Sequence, residues 1–199
     1  MRYIVKTISW SKERLDNCQE LKRLIPSLEI NVSDNKDAYV QLLDICKDID
    51  ETGAVVLEDD ILLCENFCEK IEKIIDEFGG NEVINFFEKP KKYFKTCHKS
   101  GSQFLWAQCV YLPPHFPSKM IEHYEEFKNT KPLLWRGNAV DRLIGYALAK
   151  EKMKYWSIRP CLVQHLPYKS IAGNRPTNRQ TPYFIDDLIK NGVDYDSLE

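Results

Sequence analysis

Two textures of apolar residues alternate along this chain: short unbroken runs, and stripes in which apolar positions recur three and four residues apart. Residues 2 to 8 (Arg2 to Ile8) predict a strand, after which Leu15, Cys18, Leu21, Leu24 and Ile25 share one helix face until Pro26 stops it. Leu28 to Val32 predicts a second strand, closed by Ser33-Asp34-Asn35, and Tyr39, Leu42, Leu43, Cys46 and Ile49 mark a second helix. Ala54 to Leu57 is apolar throughout, as a strand buried on both faces requires. Phe67, Ile71, Ile74, Ile75 and Phe78 form a third stripe that Gly79-Gly80 can end with a left-handed cap, and Val83 to Phe87 gives a fourth strand.

The second half is less regular. From Glu88 to Gln103 a loop is expected, carrying Lys89, Lys91, Lys92, Lys95, His98 and Lys99 around Tyr93 and Phe94. Phe104 to Leu112 reads as one long strand broken by Pro113-Pro114, and Met120, Tyr124 and Phe127 as a helix opened by Pro117. Asn138 fits the N-cap of a further helix whose apolar face carries Leu143, Ile144, Ala147 and Leu148. That puts Asp141 at the third helical position, where an acid can help cap. Tyr155 to Gln164 reads as a last strand ending at His165, and residues 166 to 199 as a loop followed by a docking segment around Ile185 and Leu188. Strand and helix alternating three times predicts a single-domain α/β fold, with a Rossmann-type, mostly parallel (mixed) sheet flanked by helices.

Composition narrows the function. The chain has 199 residues, 43% of them hydrophobic, enough for one domain with a substantial core. A net charge of -2 gives no overall attraction to nucleic acid or membrane, so a polyanion would need a local patch. The seven cysteines lack the paired spacing of zinc sites and are expected to be reduced, buried hydrophobes, as suits a cytoplasmic protein. Lys6 and Lys12 interrupt the short apolar start, so no secretory signal is expected, nor any membrane insertion. Neither a G-x-G-x-x-G nor a P-loop pattern follows any strand.

The chemistry gathers at Glu58-Asp59-Asp60, at the carboxyl end of the third strand, where open α/β sheets bind ligands. Adjacent carboxylates repel one another unless a cation neutralises them, and Mg2+ or Mn2+ takes such oxygen ligands, with a diphosphate as its expected partner. The bland alternative is a polar turn whose acids cap a following helix. The lysine cluster has two readings, a solvated surface or a phosphate-binding patch, and His165 is either a structural hydrogen-bonder or a ligand.

The β-α-β start, Val56-Leu57-Glu58-Asp59-Asp60-Ile61, the acid opening a late helix and the histidine leaving the last strand resemble glycosyltransferases of the GT-A fold. They are similar to the lipooligosaccharide-type family 25 enzymes and to short bacteriophage glycosyltransferases. The likeness spans residues 1 to 172, with 173 to 199 as a carboxyl-terminal loop and docking segment. It implies that Asp60 and His165 bind Mn2+ or Mg2+, and that Thr7, Asp34, Glu58 and Asp59 contact a nucleotide-sugar donor such as a UDP-sugar. It also implies that Asp141 is the base of an inverting reaction. Glu58 stands where that family's D-x-D pattern has Asp. For the acceptor, Lys91, Lys92, Lys95 and Trp135, with Arg175 and Arg179, point to a hydroxymethylated base in phage DNA, against which the acidic balance counts. A glycan acceptor, a nucleotidyltransferase and a non-catalytic nucleic-acid or glycan-binding domain are the alternatives.

Overall fold

A computed structural model describes residues 1–35, 37–89, 95–130, 140–167 and 180–192. Among them the strands are β1 (Tyr3–Ile8), β2 (Glu29–Ser33), β3 (Ala54–Glu58), β4 (Ile61–Leu63), β5 (Val83–Asn85), β6 (Cys97–Ser100), β7 (Cys109–Leu112), β8 (Lys154–Ser157) and β9 (Val163–His165). The helices are α1 (Lys12–Leu24), α2 (Ala38–Ile49), α3 (Phe67–Glu77), α4 (Phe116–Thr130), α5 (Asp141–Lys150) and α6 (Ile185–Lys190). Seven strands form one sheet in the order β2-β1-β3-β7-β5-β8-β6, while β4 and β9 form a separate antiparallel ribbon. In the sheet β1, β2, β3, β5 and β8 run one way, and β7 and β6 run against them. The fold is therefore the expected α/β sheet flanked by helices, mixed and mostly of one direction.

Strand alternation divides the core. Tyr3, Val5, Val55 and Leu57 turn to one face and pack with Cys18 and Leu21 of α1 and Phe67, Ile71 and Ile75 of α3. Ile4, Ala54 and Val56 turn to the other, against Leu42 and Cys46 of α2, Met120 of α4 and Leu143, Ile144 and Ala147 of α5. Burial on both faces explains the unbroken apolar run of β3. Gly53 joins α2 to this strand at φ +64, where an added Cβ would lie 2.7 Å from the Leu112 carbonyl oxygen. Of the tail, Phe184 and Ile185 enter the α1/α3 core, and Phe184 bridges to Cys161.

Several boundaries differ from the sequence pattern. Of Phe104 to Leu112 only β7 is strand, because Gly101–Gln103 forms a 3-10 turn and Trp106 adopts φ 70, a left-handed conformation that interrupts extension. Tyr155 to Gln164 is two strands, not one. Arg159-Pro160 separates β8 from β9, since proline cannot donate to a ladder, and β9 leaves the main sheet to pair with β4. Strand pairing from Val83 stops at Asn85 rather than Phe87. The basic loop contains an edge strand, β6, although residues 90–94 lie outside the described residues. The segment after the acids is β4 rather than a helix. Asp141 is the first residue of α5, not the third; its N-cap is Val140, and Asn138 lies outside the described residues. On α1, Leu24 is exposed, and the inward stripe begins with Arg14.

Candidate functional site

The carboxyl ends of β1 and β3 lie side by side, because Lys6 is the register partner of Glu58. From this edge the three acids go separate ways. Glu58, the last residue of β3, pairs with the buried Lys6 at 2.6 Å. Asp59 turns into the α1 side, where Oδ2 accepts the Thr7 hydroxyl at 2.6 Å and Oδ1 is bound by Arg14. The second guanidinium nitrogen of Arg14 donates to Oδ2 of Asp60 at 2.8 Å. Asn17, also on α1, fixes the bend by donating to the carbonyls of Asp59 at 2.8 Å and Ile61 at 3.1 Å. Burial pushes the Asp59 carboxyl up to about 6, against the pull of Arg14 and the Thr7 hydroxyl.

The repulsion among the acids is thus relieved chiefly from within the chain, by Lys6 and Arg14. The capping alternative fails, since no helix starts here and the carboxylates bind side chains. Sequence reasoning missed Arg14. The available signal was helical spacing: Arg14, Cys18 and Leu21 fall on one inward line, at the amino end of the helix that leaves β1.

The ribbon places His165 beside Asp60. Ile61 is paired with His165, and the Leu166 N–H donates to the Asp60 carbonyl at 2.8 Å. His165 Nδ1 lies 2.7 Å from the Leu166 carbonyl and must donate to it, which turns Nε2 toward Asp60. Nε2 stands 3.5 Å from Asp60 Oδ1. Two ligands of one divalent ion, each about 2.1 Å from it, stand about 3.0–3.4 Å apart, so this pair suits a shared cation with little adjustment. The backbone bond on Nδ1 is also the orienting contact that ligating histidines use. Among the described residues no group of three or more His, Cys, Asp and Glu side chains forms a metal cluster. Asp60 and His165 are thus the two described side chains at this edge whose spacing would allow a shared cation.

Asp141 belongs to the opposite face. Its Oδ2 accepts the Trp106 N–H at 3.1 Å, while Oδ1 is buried with no hydrogen-bond partner among the described residues. Burial raises its carboxyl above the ordinary range, opposed by the Trp106 N–H and by the charges of Arg142 and Lys6. The structure therefore brings Thr7, Asp59, Asp60 and His165 together on the α1 side, and Lys6, Glu58 and Asp141 on the α5 side. Thr7 and both oxygens of Asp59 are engaged with the protein itself.

Asp34 is exposed just beyond β2, and Lys95 is exposed before β6. Lys91, Lys92, Tyr93, Phe94, Trp135, Arg175 and Arg179 lie outside the described residues. Two other side chains of the basic segment are committed: Lys99 binds Glu88, and His98 lies 2.8 Å from Glu82 while stacking on Trp156. Glu88 is the centre of a second buried cluster, taking bonds from Tyr155 at 2.7 Å and Arg159 at 2.7 Å. Among the described residues no helix is long and apolar enough to cross a membrane.

No family model matches the chain, and no curated protein matches it. Among solved structures, A197 from STIV aligns over 83% of this chain and 86% of its own, with 17% sequence identity and a TM-score of 0.47. That similarity is too slight to carry function.

Proposed function

We propose that this chain is a glycosyltransferase that moves a sugar from a nucleotide-sugar donor to a hydroxyl acceptor, with Mn2+ or Mg2+ held by Asp60 and His165. The observation that carries this reading is the division of labour at one sheet edge. Asp60 sits beside the His165 imidazole on one face, and on the other Asp141 presents a buried carboxylate oxygen with no hydrogen-bond partner among the described residues. A bound divalent ion would offset the charge of the departing nucleoside diphosphate. Arg14 holds Asp60 in place through its bond to Oδ2, and the Leu166 carbonyl orients the His165 ring with Nε2 toward Asp60.

Asp141 is the base of this proposal. Its Oδ2 is anchored by the Trp106 N–H, which leaves Oδ1 to take the proton of the acceptor hydroxyl. A carboxylate with a raised pKa is a stronger base than an ordinary one. A base separate from the leaving-group site favours inversion. A hydroxymethylated pyrimidine in phage DNA is the first acceptor to try, with Lys95 as the described cation of its phosphate contact, and a soluble oligosaccharide is the second.

The test is mass spectrometry of UDP- and GDP-sugars incubated with the protein, Mn2+ and either hydroxymethylated DNA or oligosaccharides. The reading expects Mn2+-dependent release of nucleoside diphosphate and a gain of one sugar mass on an acceptor. Release of sugar 1-phosphate without sugar transfer would identify nucleotidyl transfer instead. Consumption of no donor by any combination would sink the proposal.

A further inference from the structure

One strip of polar groups on the α5 face is left chemically incomplete. Lys6, Glu58 and Gln108 lie in a row across three neighbouring chain segments. Lys6 and Glu58 are register partners on β1 and β3, and the Glu58 N–H donates to the Gln108 carbonyl at 2.9 Å, extending the β3–β7 pairing by one residue. Val110 and Leu112 of β7 pack into the α2/α4/α5 core, so strand alternation turns Gln108 to the same side. Asp141 joins the strip through its bond from Trp106, two residues before Gln108, and through the charge of Lys6 acting on it.

Two buried oxygens in this strip, Gln108 Oε1 and Asp141 Oδ1, have no hydrogen-bond partner among the described residues. Buried polar atoms are seldom left so, because desolvation without a partner costs stability. Their occurrence in one strip, beside a carboxylate proposed as base, marks a place that a ligand completes. The local charges restrict that ligand. Lys6 is held by Glu58 at 2.6 Å and disfavours a second cation, while Glu58 and Asp141 disfavour an anion. What remains is a neutral molecule rich in O–H groups. A hydroxyl both donates and accepts, so it satisfies Gln108 whichever way the amide is turned.

We infer that Gln108 is a specificity-determining residue, its side-chain amide hydrogen-bonded to a ring hydroxyl of the transferred sugar while Asp141 Oδ1, the proposed base, takes the acceptor hydroxyl at the same strip. This rests on the glycosyltransferase reading. It adds to it the residue that decides which sugar is accepted. A site built to bond a hydroxyl discriminates strongly against the analogue that lacks it, because its own buried polar atom is then left unpaired.

The test compares the wild type with Gln108→Met, which keeps the length of the side chain and removes the amide. Calorimetry in Mn2+ measures affinities for UDP, UDP-glucose, UDP-galactose, UDP-N-acetylglucosamine, GDP and GDP-mannose, and Tm is recorded for both proteins. The wild type should bind one nucleotide-sugar about tenfold tighter than its bare nucleotide, as one or two hydrogen bonds allow. Gln108→Met should lose that increment, keep the affinity for the bare nucleotide, and show an unchanged or higher Tm. A retained increment overturns the inference, as it would if a fixed water filled the place. A lowered Tm with loss of all binding overturns it in favour of a structural role. Binding of the nucleotides with no sugar increment in the wild type removes this inference alone. Binding of no nucleotide at all removes the glycosyltransferase reading with it.

Discussion

Oδ1 of Asp60 stands 3.5 Å from Nε2 of His165, and one ribbon holds both: Ile61 is paired with His165, and the N–H of Leu166 closes on the carbonyl of Asp60. His165→Ala removes the imidazole without taking a partner from Arg14, whereas Asp60→Asn disturbs that guanidinium as well. His165→Ala is therefore the cleaner probe of the cation site. Calorimetric affinity for Mn2+ with UDP should fall at least tenfold in this variant, while Mn2+-free nucleotide binding stays the same. Equal Mn2+ dependence in the two proteins would remove His165 from the site.

Asp141→Asn should lower turnover by about 10²–10⁴-fold, the usual cost of losing a general base, with little change in donor affinity. A fall in Tm without loss of rate would instead restore a capping role. The raised pKa also sets a pH dependence. The base is lost as pH falls through the folded value, so the acidic limb of the rate profile should lie above the ordinary aspartate range near pH 4. For stability the sign is opposite. The folded state holds this proton more tightly than the unfolded state, so the contribution is full below the unfolded pKa and is lost as pH rises through the folded one. Asp141→Asn should flatten both dependences.

Arg14→Met should be among the most damaging single changes in the chain. It leaves Asp59 and Asp60 buried without their shared cation, a kind of loss that typically costs about 3–5 kcal/mol. In a domain of this size each kcal/mol is about 2–4 °C of Tm, so a drop of about 10 °C is expected by calorimetric scanning. Arg14→Lys keeps the charge but cannot bridge both acids with a planar fork, and should fall between. A Tm within a degree of the wild type for Arg14→Met would show that the acids are neutralised by something else.

Glu88→Gln tests the second buried cluster. Burial pushes the Glu88 carboxyl up, but the bonds from Lys99 and Tyr155 and the charge of Arg159 outweigh it and hold it below the usual range. Its stabilising contribution is therefore present above the unfolded value of about 4.3, and is lost as pH falls through the lower folded value. Urea titrations at pH 7 and pH 3 should show the variant's deficit shrinking at the lower pH. A deficit of the same size at both would argue for packing alone.

Gly101→Ala probes how α5 is seated. A Cβ there would lie 2.8 Å from the carbonyl carbon of Leu148 and 2.9 Å from the nitrogen of Ala149, so the helix backbone itself must give way. Overpacking of this kind costs about 1–3 kcal/mol, and the displaced helix carries Asp141. Turnover should fall together with Tm, although Gly101 touches no proposed substrate group. An unchanged rate at a lowered Tm would mean that Asp141 is positioned by Trp106 rather than by its helix.

The first half of the fold was legible because its signals are local: apolar runs of β1 and β3 covered on both faces, and stripes that stop at Pro26 and Gly79. The second half failed where a single residue redirects the chain. Trp106 takes a left-handed conformation that its residue type does not advertise, and Pro160 splits what reads as one strand into two that join different sheets. Asp60 and His165 lie 3.5 Å apart because β9 pairs with β4, a strand of three residues that is too short to show a period in the sequence. Arg14 was hidden for another reason. An arginine on an apolar helix line looks like an interruption until its partners, the buried carboxylates of Asp59 and Asp60, are known to face it.

The ribbon of β4 and β9 has a consequence for the order in which the chain becomes competent. One strand comes from the first third of the sequence and the other from its last, so the loop closed between them is long, and its entropy must be overcome before the pair meets. A chain that has assembled only β1, β2 and β3 lacks the half of the proposed cation site that His165 supplies. Any ion that bridges Asp60 and His165 would act as a clasp between these two distant stretches, and by mass action it would favour the folded molecule over every partly folded one.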